Sequence, residues 1–249
     1  MNKAILRFYE ELNDFLPESK KKSDFEISFK KNPSIKHIIE SHGVPHSEVD
    51  LILVNSISVP FSYKIKNKDR VSIYPKFETL NIETVTKLKK EPLRNTKFIL
   101  DVHLGKLSHY LRMAGFDTLY RNDYQDDFIV KQAKADNRII LTRDIGLLKR
   151  KNVTHGYWLR SQKPKSQLHE VIHYFDLTSG IRPFQRCLNC NGLLQKTDKK
   201  NIIPLSYIPI FVKQKFHSFY QCLNCQKIYW PGTHYHNMKK SLENNCNYM

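Results

Sequence analysis

Two Cys-x-x-Cys pairs, Cys187-Leu-Asn-Cys190 and Cys222-Leu-Asn-Cys225, set the firmest constraint on how this chain folds. Four thiolates fill a tetrahedral zinc shell, and a filled shell leaves no open position for water. The metal these cysteines imply is therefore a structural Zn²⁺. The repeated Leu-Asn suits the tight turn that each knuckle needs. The 31 residues between Cys190 and Cys222 exceed the usual ribbon spacing, so a strand pair or a loop must fill them. A thioredoxin-like redox reading lacks the βαβ setting that such pairs keep. Residues 182–249 are thus expected to form a zinc ribbon with four cysteine ligands. His234 and His236 are spare ligands that four cysteines make unnecessary, and Cys246 is expected to be a free thiol near a frayed end.

The opening segment from Met1 to Phe15 has no apolar run of signal-peptide length. No stretch approaches the ~18 apolar residues of a membrane span. Cytoplasmic location, without membrane association, is the expectation, and it favours metal ligation over disulfides.

Charge divides the chain unevenly. Residues 1–80 hold 13 Lys and Arg against 11 Asp and Glu, whereas the whole chain carries 41 against 24 and a net charge of +17. Almost all of the excess therefore lies after residue 80. A basic excess confined to one region suggests a polyanionic partner there, although a solubilising surface would give the same count.

Residues 1–80 read as a small domain. Lys3 to Phe8 and Asp24 to Phe29 alternate as strands. Asn32-Pro33-Ser34 opens a helix that runs through Glu40, and Gly43 follows its end. Leu51 to Asn55 and Val71 to Tyr74 are further strands. Strand, strand, helix, strand, strand is the order of the ubiquitin-like β-grasp fold. No Gly-Gly follows Tyr74-Pro75-Lys76-Phe77-Glu78, which argues against sulfur carriage and leaves a recognition or scaffolding role. Residues 81–96 read as a basic linker, with Lys87, Lys89, Lys90, Arg94 and the adjoining Lys97 close together; a solvated helix over Glu83 to Lys90 is the other reading.

Residues 97–178 alternate strands with helices, which predicts a parallel sheet covered by helices. The strands are Phe98 to Leu100, Phe116 to Tyr120, Arg138 to Thr142 and Tyr157 to Leu159. The helices are Leu104 to Ala114, Asp126 to Ala135 and Gln167 to Phe175. Ligands of open parallel sheets bind beyond the carboxyl ends of the strands. Asp101 and Asp144 follow two such ends. Asp126 opens a helix, beside Asp127, where capping and the helix dipole would also favour acids. Carboxylates sharing a cleft repel one another unless a divalent cation lies between them. Mg²⁺ held by one or two carboxylates and by phosphate oxygens activates water for in-line attack on a phosphodiester. An acidic centre in a basic frame is the layout of a nuclease.

Asp126-Asp127-Phe-Ile-Val-Lys-Gln-Ala133 with Arg138-Ile-Ile-Leu-Thr-Arg-Asp144 resembles the second half of a PIN-type nuclease domain. Phe98-Ile-Leu-Asp101-Val-His-Leu-Gly-Lys-Leu with Leu111-Arg-Met-Ala-Gly-Phe-Asp117-Thr resembles, more narrowly, the Mut-7 C-terminal RNase domain family. Ile228-Tyr-Trp-Pro-Gly-Thr-His-Tyr235 is similar to that family's cysteine-rich end. Leu6-Arg-Phe-Tyr9, Gly43-Val-Pro-His-Ser-Glu-Val-Asp50 and Asp69-Arg-Val-Ser-Ile-Tyr-Pro75 resemble its ubiquitin-like partner domain. The resemblance implies RNA hydrolysis with Mg²⁺ or Mn²⁺, metal-binding carboxylates at Asp101, Asp126 and Asp144, and Asp117 as a fourth. Asp123 and Asp127 are weaker candidates. Arg112 and Arg143 either hold substrate phosphate or pair with the carboxylates. The substrate is expected to be RNA, single-stranded or structured like tRNA, with a protein partner possible at the β-grasp domain. In the ribbon, Lys196, Lys199, Lys200, Lys213 and Lys215 alternate with Tyr207, Phe211, Phe216, Phe219 and Tyr220. Such aromatics either stack on unpaired bases or form the ribbon's own core. The rival readings are a non-catalytic RNA-binding protein and an adaptor working through the β-grasp domain.

Overall fold

The structure is a computed structural model and describes residues 1–75, 85–88 and 96–246. In the N-terminal sheet, β1 (Asn2–Phe8) buries Ala4, Leu6 and Phe8 on one face and pairs antiparallel with β2 (Phe25–Phe29). Helix α1 (Ile35–Ser41) starts where Ser34 Oγ accepts the His37 N–H, and it buries Ile35, Ile38 and Ile39, the i, i+3, i+4 stripe of a core-facing helix. Gly43 follows at φ 96°, and a Cβ there would meet Phe15 O at 3.1 Å, so any other residue would be strained. Strands β3 (Leu51–Val54), β4 (Ile57–Ser58) and β5 (Arg70–Tyr74) complete a five-stranded sheet of order β2-β1-β5-β3-β4.

Strands β1 and β5 are parallel, with Leu6 opposite Val71, and every other pair is antiparallel. A mixed sheet with its first and last strands side by side, and a helix packed on its buried residues, is the expected β-grasp fold. The sequence reading missed β4. Asn55 (φ 49°) and Ser56 (φ 68°) are both left-handed and turn β3 into β4. This is type I′ chemistry without the glycine that usually announces it.

After β6 (Lys97–Leu100) come α2 (Gly105–Met113), β7 (Asp117–Leu119), α3 (Asp126–Asp136) and β8 (Ile139–Thr142). Then follow α4 (Ile145–Leu148), β9 (Gly156–Trp158) and α5 (Pro164–Tyr174). Strands β6 to β9 make the central parallel sheet. β6 pairs with β7, and β8 with β9, both in parallel. Phe98, Ile99, Leu100 and all of β8 are buried, as strands covered on both faces must be. Several boundaries depart from expectation, most by a single residue. Strand β6 begins at Lys97, one residue before Phe98. Helix α5 begins three residues before Gln167, because Pro164 has the fixed φ suited to a first helical turn.

The cysteine-rich region folds as β10 (Leu194–Thr197), α6 (Lys199–Ile202), α7 (Ile210–Lys215), β11 (Phe219–Cys222), β12 (Ile228–Tyr229) and α8 (Thr233–Cys246). Its antiparallel sheet has the order β10-β11-β12. Strand β10, the two short helices and the start of β11 thus lie in the interval between the knuckles. Ile202, Ile208, Val212, Phe219 and Ile228 form its core, with Phe216 packed against them.

The chain gathers into two compact units, Met1–Asn95 with Asp126–Trp158, and Thr96–Gln125 with Leu159–Met249. Within the first unit, the residues after α1 tie closely to those around β9. The His46 ring lies 2.7 Å from Val153 O and 2.7 Å from the Glu40 carboxylate. Lys149 Nζ donates to Glu40 O at 3.1 Å, and buried Glu48 accepts the Trp158 N–H. The Phe15 and Trp158 rings lie 5.0 Å apart. Most of the 81–96 linker, including Lys89, Lys90 and Arg94, lies outside the described residues, as do Lys76, Phe77 and Glu78 and the side chains of His234 and Cys246. Among the described residues, no helix is long and apolar enough to cross a membrane.

Candidate active site and metal centre

The four sulfur atoms of Cys187, Cys190, Cys222 and Cys225 all lie within 4.8 Å of one another. Two pairs are closer: Cys187 to Cys225 at 3.6 Å and Cys190 to Cys222 at 3.4 Å. Ligands about 2.3 Å from a central zinc, at tetrahedral angles, stand about 3.8 Å apart. The donor set therefore fits Zn²⁺ in chemistry and in spacing. Turn geometry explains the convergence, because the backbone N–H groups of Asn224 and Cys225 point at Cys222 Sγ, 3.4 and 3.5 Å away. Burial pushes the Cys187 thiol up, but the Tyr229 hydroxyl and the backbone N–H groups of Cys190 and Asn189 outweigh it and bring the thiol down to about 7. Burial pushes Cys190 up, to about 12, in the absence of metal charge.

Arg112 lies directly behind this cluster. It is buried, and its guanidinium donates to Thr118 O, Leu188 O and Asn189 O, each at 3.0 Å, and to Tyr120 O at 3.4 Å. The expectation that Arg112 holds substrate phosphate, or pairs with a carboxylate, is therefore corrected. Its donors are spent on backbone carbonyls, two of them inside the first knuckle. Burial lowers its pKa, a shift opposed by the neighbouring Cys187 and Cys190.

Asp117 serves the same junction. The β6–β7 register sets it level with Lys97, at the end of the strand pair opposite to Asp101, so its strand does not bring it to the Asp101 carboxylate. Its oxygens instead accept from Asn191 Nδ2 at 2.8 Å and from Arg186 at 3.3 Å. Asn191 also accepts the Thr118 N–H at 2.9 Å. The sequence reading passed over Asn191, which sits at φ 68° beside Cys190. An asparagine directly after a knuckle is the signal that could have found it, since asparagine tolerates that conformation.

Asp101 directly follows β6 and is half-buried. One carboxylate oxygen accepts the Val102 N–H at 2.6 Å, capping the turn Val102–Leu104. The Tyr120 hydroxyl holds that turn by donating to Val102 O at 2.7 Å. Gly105 leaves room for that hydroxyl, since a Cβ would stand 2.8 Å from the Tyr120 oxygen and the ring would have to shift. His103 is exposed on the turn.

In the other unit, Asp144 caps α4 after β8. Its N–H donates to Thr142 Oγ1 at 2.9 Å, and its Oδ1 accepts the Gly146 N–H at 2.7 Å. Both Asp144 and its neighbour Arg143 are exposed, and Arg143 O accepts the Trp158 indole N–H at 3.2 Å. Asp126 and Asp127 occupy the first turn of α3. Arg150 pairs with both carboxylates, reaching Asp126 at 3.3 Å. Arg150 is a second residue that sequence reasoning missed, since no motif or spacing singles it out. Asp123 pairs with Arg121 at 2.7 Å, in the loop before α3. Among the described residues, the cysteines are the one group of potential ligand atoms gathered within a metal's reach.

The aromatics of the ribbon divide. Phe219 is buried and Phe216 packs on the core, whereas Tyr207 is 64% exposed, Phe211 62% and Tyr220 38%.

Residues 96–242 match the Mut7-C RNAse domain, and residues 1–81 match the Mut7-C ubiquitin domain. No curated protein matches the chain. Among solved structures, it is similar to the small archaeal modifier protein 1 of H. volcanii, at 8% identity, over 31% of this chain and 100% of that one, with a TM-score of 0.25. A second structure, SAMP1 from Haloferax volcanii, also gives 8% identity and a TM-score of 0.25, over 30% of this chain and 97% of that one.

Proposed function

The chain belongs to the Mut7-C RNAse domain family, which points to a nuclease-type function, and on that premise we propose that it is a metal-dependent ribonuclease that hydrolyses RNA phosphodiester bonds. The observation that carries this reading is the placement of Asp101 and Asp144. Asp101 directly follows β6 and Asp144 stands two residues after β8, both beyond the carboxyl ends of strands of the central parallel sheet, and each caps a helical turn. Such strand ends are where open parallel sheets bind ligands.

Asp101, Asp126 and Asp144 are the candidate hard oxygen donors of this reading for Mg²⁺ or Mn²⁺, one or two carboxylates sufficing beside water and phosphate oxygens. Bound there, the cation would supply water activation and neutralisation of the scissile phosphate's charge. Val102 N–H and Gly146 N–H orient the Asp101 and Asp144 carboxylates, each through one oxygen. Arg143, exposed beside Asp144, offers a cation to a substrate phosphate. Asp117 has no part in this set, for the register reason given above. The substrate in this reading is single-stranded RNA or a structured RNA such as tRNA, acted on in processing or decay. Exposed Tyr207 and Phe211 support base stacking by the ribbon. The β-grasp domain remains available to a protein partner.

The test is incubation of purified protein with a labelled mixed RNA pool in Mg²⁺, Mn²⁺ or EDTA, beside Asp144→Asn. Cleavage that requires metal and vanishes in the variant supports the reading. Tight RNA binding by both proteins without cleavage would favour a non-catalytic RNA-binding protein. Equal cleavage by both would remove Asp144 from the site.

A further inference from the structure

An open groove of about 780 Å³ lies along α3, lined by Asp127, Val130, Lys131 and Lys134 on the helix and by Arg150 and Lys151 beyond α4. The four helical positions have i, i+3, i+4 and i+7 spacing, so one face of α3 forms one wall. Buried Val130 anchors that face, while Lys131, Lys134 and Lys151 are exposed. The lining holds four cations and one carboxylate, and that carboxylate, Asp127, pairs with Arg150. The same arginine pairs with Asp126. Arg150 therefore links one end of the groove to Asp126, a candidate metal-binding carboxylate, and Lys131 and Lys134 carry the positive charge onward along the helix. From Asp126 to Lys134 the helix advances about 12 Å, at 1.5 Å per residue. That length suits a run of successive phosphates better than a single small anion.

We propose that this groove binds the phosphodiester backbone of single-stranded RNA and leads it to the Asp126 end of α3. The proposal rests on the ribonuclease reading for its substrate. Its chemistry is charge neutralisation by lysines without base readout, so the track is indifferent to sequence.

The test uses the full-length, zinc-loaded protein and a fluorescein-labelled single-stranded RNA. Anisotropy is followed in EDTA across a salt series, so that cleavage plays no part. The variant is Lys131→Glu, Lys134→Glu and Lys151→Glu combined. The control makes the same charge change on the β-grasp domain, by Lys30→Glu, Lys31→Glu and Lys66→Glu; all six side chains are exposed, and circular dichroism checks the folds. The groove variant is expected to weaken binding by about tenfold or more at low salt and to reduce the salt slope by about 2, the release expected when three phosphate contacts are lost. The control should retain the wild-type slope. Equal effects of the two variants, or no effect of the groove variant, would overturn the proposal. Binding that needs the groove in a protein that never cleaves with Mg²⁺ or Mn²⁺ would leave the groove standing and remove the ribonuclease reading. Cleavage by a protein whose binding ignores the groove would do the reverse.

Discussion

The Arg112 guanidinium donates to the carbonyl oxygen of Asn189, at 3.0 Å, between the two cysteines of the first knuckle. A side chain of α2 thereby fixes the backbone that must present Cys187 and Cys190. Arg112→Ala would leave the carbonyls of Thr118, Leu188 and Asn189 without this partner, in a buried site. Loss of about 3 kcal/mol of stability is expected, read from the urea midpoint, because buried acceptors lose charge-assisted bonds. Arg112→Lys keeps the charge but cannot reproduce the fork, so it should recover only part of the loss. RNA affinity of the folded fraction should be unchanged, which separates this role from phosphate binding.

Asp117 and Asp144 make an opposed pair of tests. Asp144→Asn keeps much of the capping geometry while removing the charge, so cleavage should fall by at least about 100-fold with little change in melting temperature. Asp117→Asn should keep metal-dependent cleavage. It should instead cost about 1 to 2 kcal/mol, because Arg186 loses a half-buried ion pair. A melting curve and a cleavage assay on both variants check this. Loss of cleavage in well-folded Asp117→Asn would put Asp117 back among the metal ligands.

The elements were legible where local chemistry and packing agree. Apolar runs such as Ile139 to Leu141, the Ser34 cap and the two knuckles all specify their structure within a few residues. What escaped the reading depends on contacts distant in sequence. Arg112 looked like a phosphate ligand because its partners Leu188 and Asn189 lie 76 and 77 residues further on. Asp117 looked like a site acid because sequence gives a strand but not its register, and register decides which end of the pair the acid occupies. The aromatics of the ribbon split between core and surface for a related reason. Alternation names no face until Phe219 is paired opposite Thr197 in the β10–β11 ladder.

Removal of metal should act on the ribbon first. Folding and zinc binding are one equilibrium when the ligands come from separate turns. Native mass spectrometry should find one zinc per chain, and none in Cys222→Ser. Chelation should expose Phe219, now fully buried, and raise protease sensitivity between residues 198 and 216. A chain that holds no zinc yet resists protease there would refute a structural metal.

Residues 1–75 should prove inseparable from residues 126–158. Glu48, 2% exposed, accepts the Trp158 N–H at the end of β9, and His46 lies within hydrogen-bond distance of Val153 O. In Glu48→Ala a half-buried backbone donor loses its charged acceptor, for an expected cost of about 1 to 2 kcal/mol. Glu48→Gln keeps an acceptor and should cost less. Trp158 fluorescence reports the change directly, since its ring also meets Phe15 at 5.0 Å. A chain starting at residue 96 would expose these partners together and should aggregate or unfold at temperatures where the whole protein is folded. If that shorter chain melted like the whole protein, the N-terminal domain would be an independent module, and an adaptor role would gain at the expense of a scaffolding one.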